Sequence, residues 1–166
     1  MNTFLEFGIK RENEERRDGG CAVIFDPETK KFAVGRDNWG ANILRLFGGG
    51  FDKNEDPLLG TLREVREESG LCNFLETEEL AKVFVHYFNR TKNVNRCAES
   101  VCYLLILKNT DLIETQLEDH ENFNLVYVDA QEMLDKWEAH NENKDFDHWI
   151  YFLQQGIESL KKRGIY

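Results

Sequence analysis

The sequence lacks a long hydrophobic run, and this limits where the protein is expected to reside. Its longest apolar segment covers residues 101–107, far short of the roughly 20 residues that a helix needs to cross a bilayer. Charged residues at positions 10–12 interrupt the N-terminus, which is not the pattern of a secretory signal peptide. The four cysteines include no Cys-x-x-Cys pair. We therefore expect reduced thiols and a cytoplasmic protein.

Basic residues are also scarce, with 21 Lys and Arg against 31 Asp and Glu and a net charge of −10. Long nucleic acids are bound by clustered Lys and Arg, so a general nucleic-acid binder is not expected. No G-x4-G-K-[ST] sequence is present, which excludes a nucleoside-triphosphate P-loop. The four histidines show no zinc-ligand spacing with the cysteines. An acidic excess can, however, reflect carboxylates gathered around metal ions.

The chain does contain enough apolar residues to form a core. Its 166 residues are 41% hydrophobic and include 12 Phe, which suits one domain. We expect a single domain over residues 1–166, with an N-terminal extension over 1–18 and a C-terminal helix over 146–162. Strand-like runs surround one mid-chain helix and terminal helices follow, which predicts an α/β sandwich. The predicted strands cover residues 21–26, 31–36, 43–47, 81–88, 100–108 and 125–129, and a further helix covers 130–138.

The clearest local signal is the mid-chain helix. Asp56 is a suitable N-cap, Pro57 fits the first helical position, and Gly70 lies where a helix would stop. Between them, apolar residues recur at helical spacing and predict one buried face. These residues are Leu58, Leu62 and Val65.

Three glutamates share the opposite face of this helix. Glu64, Glu67 and Glu68 stand at i, i+3 and i+4, and each residue turns the helix by about 100°. Like charges at this spacing repel by about 0.2–0.5 kcal/mol per pair, a penalty that a divalent cation would remove. An ordinary solvated helix, with nearby arginines neutralising the glutamates, is the alternative. The glycines at 48–50 favour a ligand site, because they let a ligand approach the backbone closely.

Residues 49–71 resemble the Nudix box. The segment reads GGFDKNEDPLLGTLREVREESGL and matches G-x5-E-x7-R-E-U-x-E-E-x-G-U, with U an apolar residue, at every specified position. The matching residues are Gly49, Glu55, Arg63, Glu64, Val65, Glu67, Glu68, Gly70 and Leu71. The resemblance implies a Nudix-type α/β/α sandwich, with a mixed β-sheet between helices.

The resemblance also implies a divalent metal cofactor, Mg2+ or Mn2+. By position, its carboxylate ligands would be Glu64, Glu67 and Glu68, and the carbonyl of Gly48 or Gly49 would add another oxygen. Hard divalent cations take such oxygen ligands, so the residue types agree with this assignment.

Relatives often complete the metal site with a further glutamate ahead of the last strand. Glu118 and Glu121 are both suitably placed, and we favour Glu121 slightly. For each of them, the alternative is an exposed loop acid.

In the mechanism implied by the resemblance, water attacks a phosphorus of a pyrophosphate. Glu64 is our first choice for the general base, and Glu67 and Arg63 complete the expected catalytic set. Arg63 and Glu67 form an i, i+4 pair, which suits an orienting role for the arginine. Glu55 and Gly70 would support the site structurally.

Three aromatic residues are candidates for binding the substrate: Tyr87, Phe51 and Trp39. Relatives that act on dinucleoside polyphosphates tend to carry a tyrosine beyond the box, and Tyr87 lies at a similar distance from the end of the box. Its strand-like run, however, is a place where a core aromatic is expected in any case.

These features predict a metal-dependent enzyme that hydrolyses a pyrophosphate bond in a nucleoside diphosphate linked to another moiety. The substrate would be a nucleoside triphosphate, a nucleotide sugar or a dinucleoside polyphosphate. The alternatives are a non-catalytic Nudix module that senses nucleotides and a diphosphate isomerase on the same fold. Such sensors often lose box glutamates and the isomerases depart from the box, whereas this chain keeps it intact. The expected partner is a small nucleotide, with no membrane or nucleic acid, and a homodimer is allowed by analogy.

Overall fold

The computed structural model describes residues 4–38 and 42–166. No helix in these ranges has the length and apolarity needed to span a membrane. The helices are α1 (Pro57–Ser69), α2 (Ala130–Glu138) and α3 (Asp147–Lys162). The strands are β1 (Leu5–Phe7), β2 (Glu15–Arg16), β3 (Gly19–Asp26), β4 (Lys31–Asp37), β5 (Leu44–Arg45), β6 (Phe47–Gly50), β7 (Phe74–Asn89), β8 (Val94–Leu107) and β9 (Phe123–Val128).

The strands form one mixed sheet in the order β1-β7-β8-β3-β4-β5, with β2 added to β8, β6 to β3 and β9 to β4. Strand β3 is parallel to β8 and antiparallel to β4 and β6. It is apolar and buried along nearly its whole length, as a central strand covered on both faces should be. The predicted α/β class with a mixed sheet is confirmed.

Alternation along β3 divides the core into two layers. Ala22 and Ile24 belong to the core beneath α1, together with Val65. Val23 and Phe25 point to the opposite face of the sheet, since successive strand side chains alternate. That second core also contains side chains of α2 and α3. The sheet therefore lies between α1 on one face and α2 with α3 on the other.

The ends of α1 agree with the prediction. The Asp56 side chain accepts a hydrogen bond from the Leu59 N–H at 3.0 Å, and Pro57 occupies the first turn. Gly70 ends the helix at φ 80°, where its N–H donates to the Arg66 carbonyl at 2.9 Å. A left-handed residue at this position favours glycine, because a Cβ would be strained there.

The β7–β8 hairpin is longer than the predicted strands 81–88 and 100–108, and it recruits the N-terminal segment. β1 pairs in parallel with β7, and β2 pairs in parallel with β8. The buried His86 ring lies between two carboxylates, with Glu6 at 2.6 Å and Glu14 at 2.9 Å. Much of the segment predicted as an extension is therefore bound to the sheet edge, by contacts that have no local sequence signal.

Candidate functional site

A cleft of about 440 Å³ opens where β6 and α1 meet the tip of the β7–β8 hairpin and the start of α3. The predicted site residues that line it are Gly48, Gly49, Glu64, Glu67, Glu68, Tyr87, Glu118 and Glu121. Residues far apart in the chain thus converge on one concavity.

The glycines of β6 lie directly against the α1 carboxylates. A Cβ on Gly49 would lie 2.5 Å from the Glu64 carboxyl carbon, and one on Gly48 would collide with the Gly20 carbonyl of β3. The Gly48 N–H donates to Glu68 Oε2 at 3.0 Å. Glycine is required here because any side chain would displace either the neighbouring strand or the carboxylate.

Arg63 connects the acidic residues of the box. Its Nε and Nη2 donate to the two Glu55 oxygens at 2.8 and 2.9 Å, and its Nη1 donates to Glu64 at 2.9 Å and to Glu67 at 3.3 Å. Its Nη2 also donates to the Gly50 carbonyl at 3.3 Å. Hydrogen bonds from Arg63 lower the pKa of Glu55 to about 2. The fork therefore orients both Glu64 and Glu67 relative to the glycine turn.

Glu68 differs from the sequence expectation of an exposed carboxylate, because it is only 6% exposed. Burial holds its pKa well above the usual range, and the neighbouring Glu121 carboxyl adds to that shift. Burial also raises the pKa of Glu64, which has Glu67 and Glu121 nearby. The helical periodicity predicted that Glu68 shares a face with Glu64 and Glu67, but it did not predict that the β6 turn and Glu121 lie against this carboxyl.

These carboxylates fit a divalent cation. Glu67 and Glu121 carry charge close to Glu64, the Glu68 carboxyl forms a hydrogen bond with that of Glu121, and the glycine turn leaves room for the Glu64 carboxylate. An oxygen-rich donor set of this kind suits Mg2+ or Mn2+.

Glu118 and Glu121 lie on the turn that precedes β9. The Glu118 N–H donates to Glu121 Oε1 at 2.9 Å, and the Glu121 N–H donates to the Glu118 carbonyl at 2.8 Å. With His120 they place three potential ligand atoms within 4.8 Å of one another. The sequence carries no local signal for a role of His120, because its spacing from the cysteines is not that of a metal site.

Cationic side chains also line the cleft, and no motif in the sequence predicts them. Arg17 lies so close to Gly50 that a Cβ there would collide with its guanidinium. Arg96, from β8, pairs with Glu15 at 2.9 Å. Positions 17, 50 and 96 meet only through the pairing of the sheet, so no local pattern predicts this group. The other lining cations are Arg45, Arg90 and Lys92.

The three aromatic candidates have different positions. Tyr87 lines the cleft, and burial raises the pKa of its hydroxyl. Phe51 packs against the core beneath α1, next to Gly20 and Gly60, and is not among the described residues that line the cleft. Trp39 lies outside the described residues. Three further residues that were read only as part of the last helix line the cleft as well: Phe146, His148 and Trp149.

Solved structures with this fold are similar to the chain over most of its length. The NUDIX domain of Shewanella oneidensis NrtR, in complex with ADP ribose, has a TM-score of 0.62 and 17% identity, and the match covers 89% of this chain and 90% of that one. A Caenorhabditis elegans Ap4A hydrolase complex has a TM-score of 0.56 and 14% identity, and the match covers 88% of this chain and 98% of that one. A NUDIX hydrolase from Nitrosomonas europaea has a TM-score of 0.55 and 15% identity, and the match covers 80% of this chain and 85% of that one.

No curated protein sequence matches this chain significantly. The family model for the NUDIX domain, however, matches residues 15–150. This match extends well beyond the box and includes every strand from β2 to β9. The match confirms the family that residues 49–71 predicted, and with it the predicted class of enzyme. The chain belongs to the Nudix family of hydrolases.

Proposed function

We propose that this protein hydrolyses a pyrophosphate bond in a nucleoside diphosphate linked to another moiety, with Mg2+ or Mn2+ as its cofactor. The observation that carries the proposal is the meeting of Glu64, Glu67 and Glu68 with Glu121 beneath the glycine turn of β6. A cleft that offers carboxylates next to arginines suits a polyphosphate that binds together with its metal.

The residues that would hold the metal are Glu64, Glu67 and Glu68, with Glu121 or Glu118 and a carbonyl of Gly48 or Gly49. When bound, the cation would acidify the attacking water and neutralise charge on the phosphate oxygens.

The chain's own residues have separate roles in the proposed reaction. Glu64 accepts a proton from the attacking water, from a position against the glycine turn where Arg63 donates a hydrogen bond to its carboxylate. Arg63 fixes the direction of Glu64 and Glu67 through its hydrogen bonds. Arg17 and Arg96, which lie beside Tyr87 in the cleft, present positive charge to the phosphates of the substrate.

A substrate panel tests this proposal. Purified protein is incubated with Mg2+ and nucleoside triphosphates, nucleotide sugars and dinucleoside polyphosphates, and the products are separated by chromatography. We expect cleavage of at least one class into two phosphate-containing products, loss of activity with a chelator, and recovery on adding Mg2+ or Mn2+. Binding of nucleotides without turnover of any substrate would favour the sensor alternative instead.

A further inference from the structure

The α3 side of the cleft has a different chemistry from the box side. Apolar side chains of the sheet line it, and the first turn of α3 adds aromatic rings. The lining residues in question are Leu46, Val85, Ala98, Phe146, His148 and Trp149. Ligand pockets are commonly built in this way, from a largely apolar lining and a few polar groups that fix orientation.

His148 is the polar group on this side. It is 8% exposed, and its ring lies 5.8 Å from the Trp149 ring and 5.9 Å from the Phe152 ring, centroid to centroid. No hydrogen bond or ion pair joins it to any other residue within 4–38 and 42–166. Within the same ranges, its ring nitrogens are also not among the side-chain atoms that are both inaccessible to solvent and without a hydrogen-bond partner. Because His148 is one of the residues that line the cleft, its nitrogens are available to a molecule bound there.

This histidine is neutral near pH 7, because burial lowers its pKa to about 4. A neutral imidazole offers one N–H donor and one acceptor nitrogen. Since no described side chain of the protein pairs with this imidazole, a ligand in the cleft can use both of its hydrogen-bonding nitrogens.

The surroundings favour a heteroaromatic base over a phosphate or a sugar. A phosphate would need cations, and the nearest arginines of the cleft, Arg17 and Arg96, lie beside Tyr87. The charged residue next to Phe146 in the chain is Asp145, which pairs with Arg11 at 2.9 Å. A sugar would need several hydrogen-bonding side chains, whereas the rings that contact His148 are those of Trp149 and Phe152. A nucleobase has an apolar face for a ring to contact and a polar edge for a single donor or acceptor.

We propose that the α3 side of the cleft is a nucleobase subsite, in which Trp149 contacts the face of the base and His148 hydrogen-bonds to its edge. The inference deepens the proposed function, since it concerns the nucleoside part of the same substrate, but it does not require that hydrolysis occur.

Binding of reaction-product analogues tests the subsite. Calorimetric titrations compare AMP, GMP, CMP and UMP with ribose 5-phosphate, which has no base. For the wild type we expect at least one monophosphate to bind more tightly than ribose 5-phosphate. His148→Phe, which keeps an aromatic ring but removes both nitrogens, should weaken that monophosphate about tenfold, the effect of one lost hydrogen bond. Its affinity for ribose 5-phosphate should not change.

Two variants keep the test decisive. Tyr151→Phe removes one polar group from the same helix at a position that packs against Phe7, outside the cleft lining, and should bind like the wild type. His148→Gln retains a donor and an acceptor, and should change the order of preference among the four monophosphates. If His148→Phe does not fold, the glutamine variant decides between the outcomes.

The subsite is wrong if wild-type affinity for all four monophosphates is no greater than for ribose 5-phosphate. It is equally wrong if the histidine variants leave the monophosphate affinities unchanged. Base-dependent binding that requires His148, in a protein that cleaves nothing on the substrate panel, would support the subsite and reject the proposed hydrolysis. Cleavage of a substrate on the panel, without any difference in affinity among the bases, would support the proposed hydrolysis and reject the subsite.

Discussion

α1 and α3 approach the same cleft from opposite faces of the sheet and bring opposite chemistry to it. α1 contributes carboxylates connected by Arg63, and its neighbours are further charged residues. α3 contributes aromatic rings and a neutral, buried histidine. The two proposals together imply a division of labour, in which the α1 side would perform the chemistry and the α3 side would determine which nucleotide is bound.

The largest expected effect tests the α1 side. Glu67→Gln should lower kcat by about 10²–10³-fold, because it removes one charge from the proposed cation site. Steady-state kinetics on the best substrate of the panel measures this. His148→Phe should instead raise KM and leave kcat nearly unchanged, since it acts on binding.

Glu158→Gln is the matched control, because this glutamate is exposed on α3. A large fall in kcat for His148→Phe, or none for Glu67→Gln, would contradict the division between the two sides.

The pH dependence of stability should differ between the two sides. The pKa of His148 is about 4 in the folded protein, below its usual 6.5. Between these two pH values the unfolded state therefore binds more protons than the folded state. Its contribution to stability is thus complete above pH 6.5 and is lost as the pH falls toward 4. At about 1.4 kcal/mol per pKa unit, the loss is about 3 kcal/mol. Urea unfolding across this range should show it.

In the same titration, His148→Phe should show a flatter profile between pH 6.5 and 4. Glu55 gives the contrasting window, because its pKa of about 2 lies below its usual 4.5. Its stabilising effect is lost only between pH 4.5 and 2. Equal slopes for wild type and His148→Phe would show that the histidine is not buried in its neutral form.

Gly49→Ala tests whether the glycine turn positions Glu64. The new Cβ would lie 2.6 Å from Glu64 Oε2, so the carboxylate must move, and a displacement near 1 Å can cost about 10²-fold in rate. Kinetic assays should therefore show a fall in kcat of that order.

The double variant Gly49→Ala/Glu64→Gln separates this effect from general damage to the fold. If the glycine acts through Glu64, the double variant should be no less active than Glu64→Gln alone. Additive losses would mean that the alanine disturbs the site in some other way.

The smallest expected effect concerns Arg63. Arg63→Lys keeps the charge but loses the two-pronged contact with Glu55, so we expect kcat to fall about tenfold as Glu64 and Glu67 lose their orientation. The exposed Arg66 lies on the same helix, and Arg66→Lys serves as the control. Kinetics of both variants, with circular dichroism to verify folding, would show whether the orienting role is real.

Local patterns predicted α1 and its carboxylates well. Capping by Asp56, the stop at Gly70 and the shared face of Glu64 and Glu67 all depend on residues within a few turns of one another. The predicted strands also lie within observed ones for the most part, because apolar runs of this kind are typical of buried strands.

The N-terminal segment and the hairpin ends could not be predicted in the same way. β1 and β2 are short and largely exposed, and they are strands only because β7 and β8 present free edges to them. The aromatic residues on the α3 side of the cleft could not be predicted for a related reason. At its helical spacing, Trp149 is indistinguishable from a core residue.

The sequence by itself determined the family, the α/β fold and the carboxylate-bearing helix, because a spaced motif and a helical period are local properties of the chain. Only the tertiary structure buried Glu68 against the β6 turn, brought Glu121 to it and placed His148 in the lining of the cleft. These outcomes depend on contacts between residues twenty or more positions apart or on surroundings that distant strands provide. Burial and charge proximity are properties of the packed sheet and helices, and no local spacing encodes them.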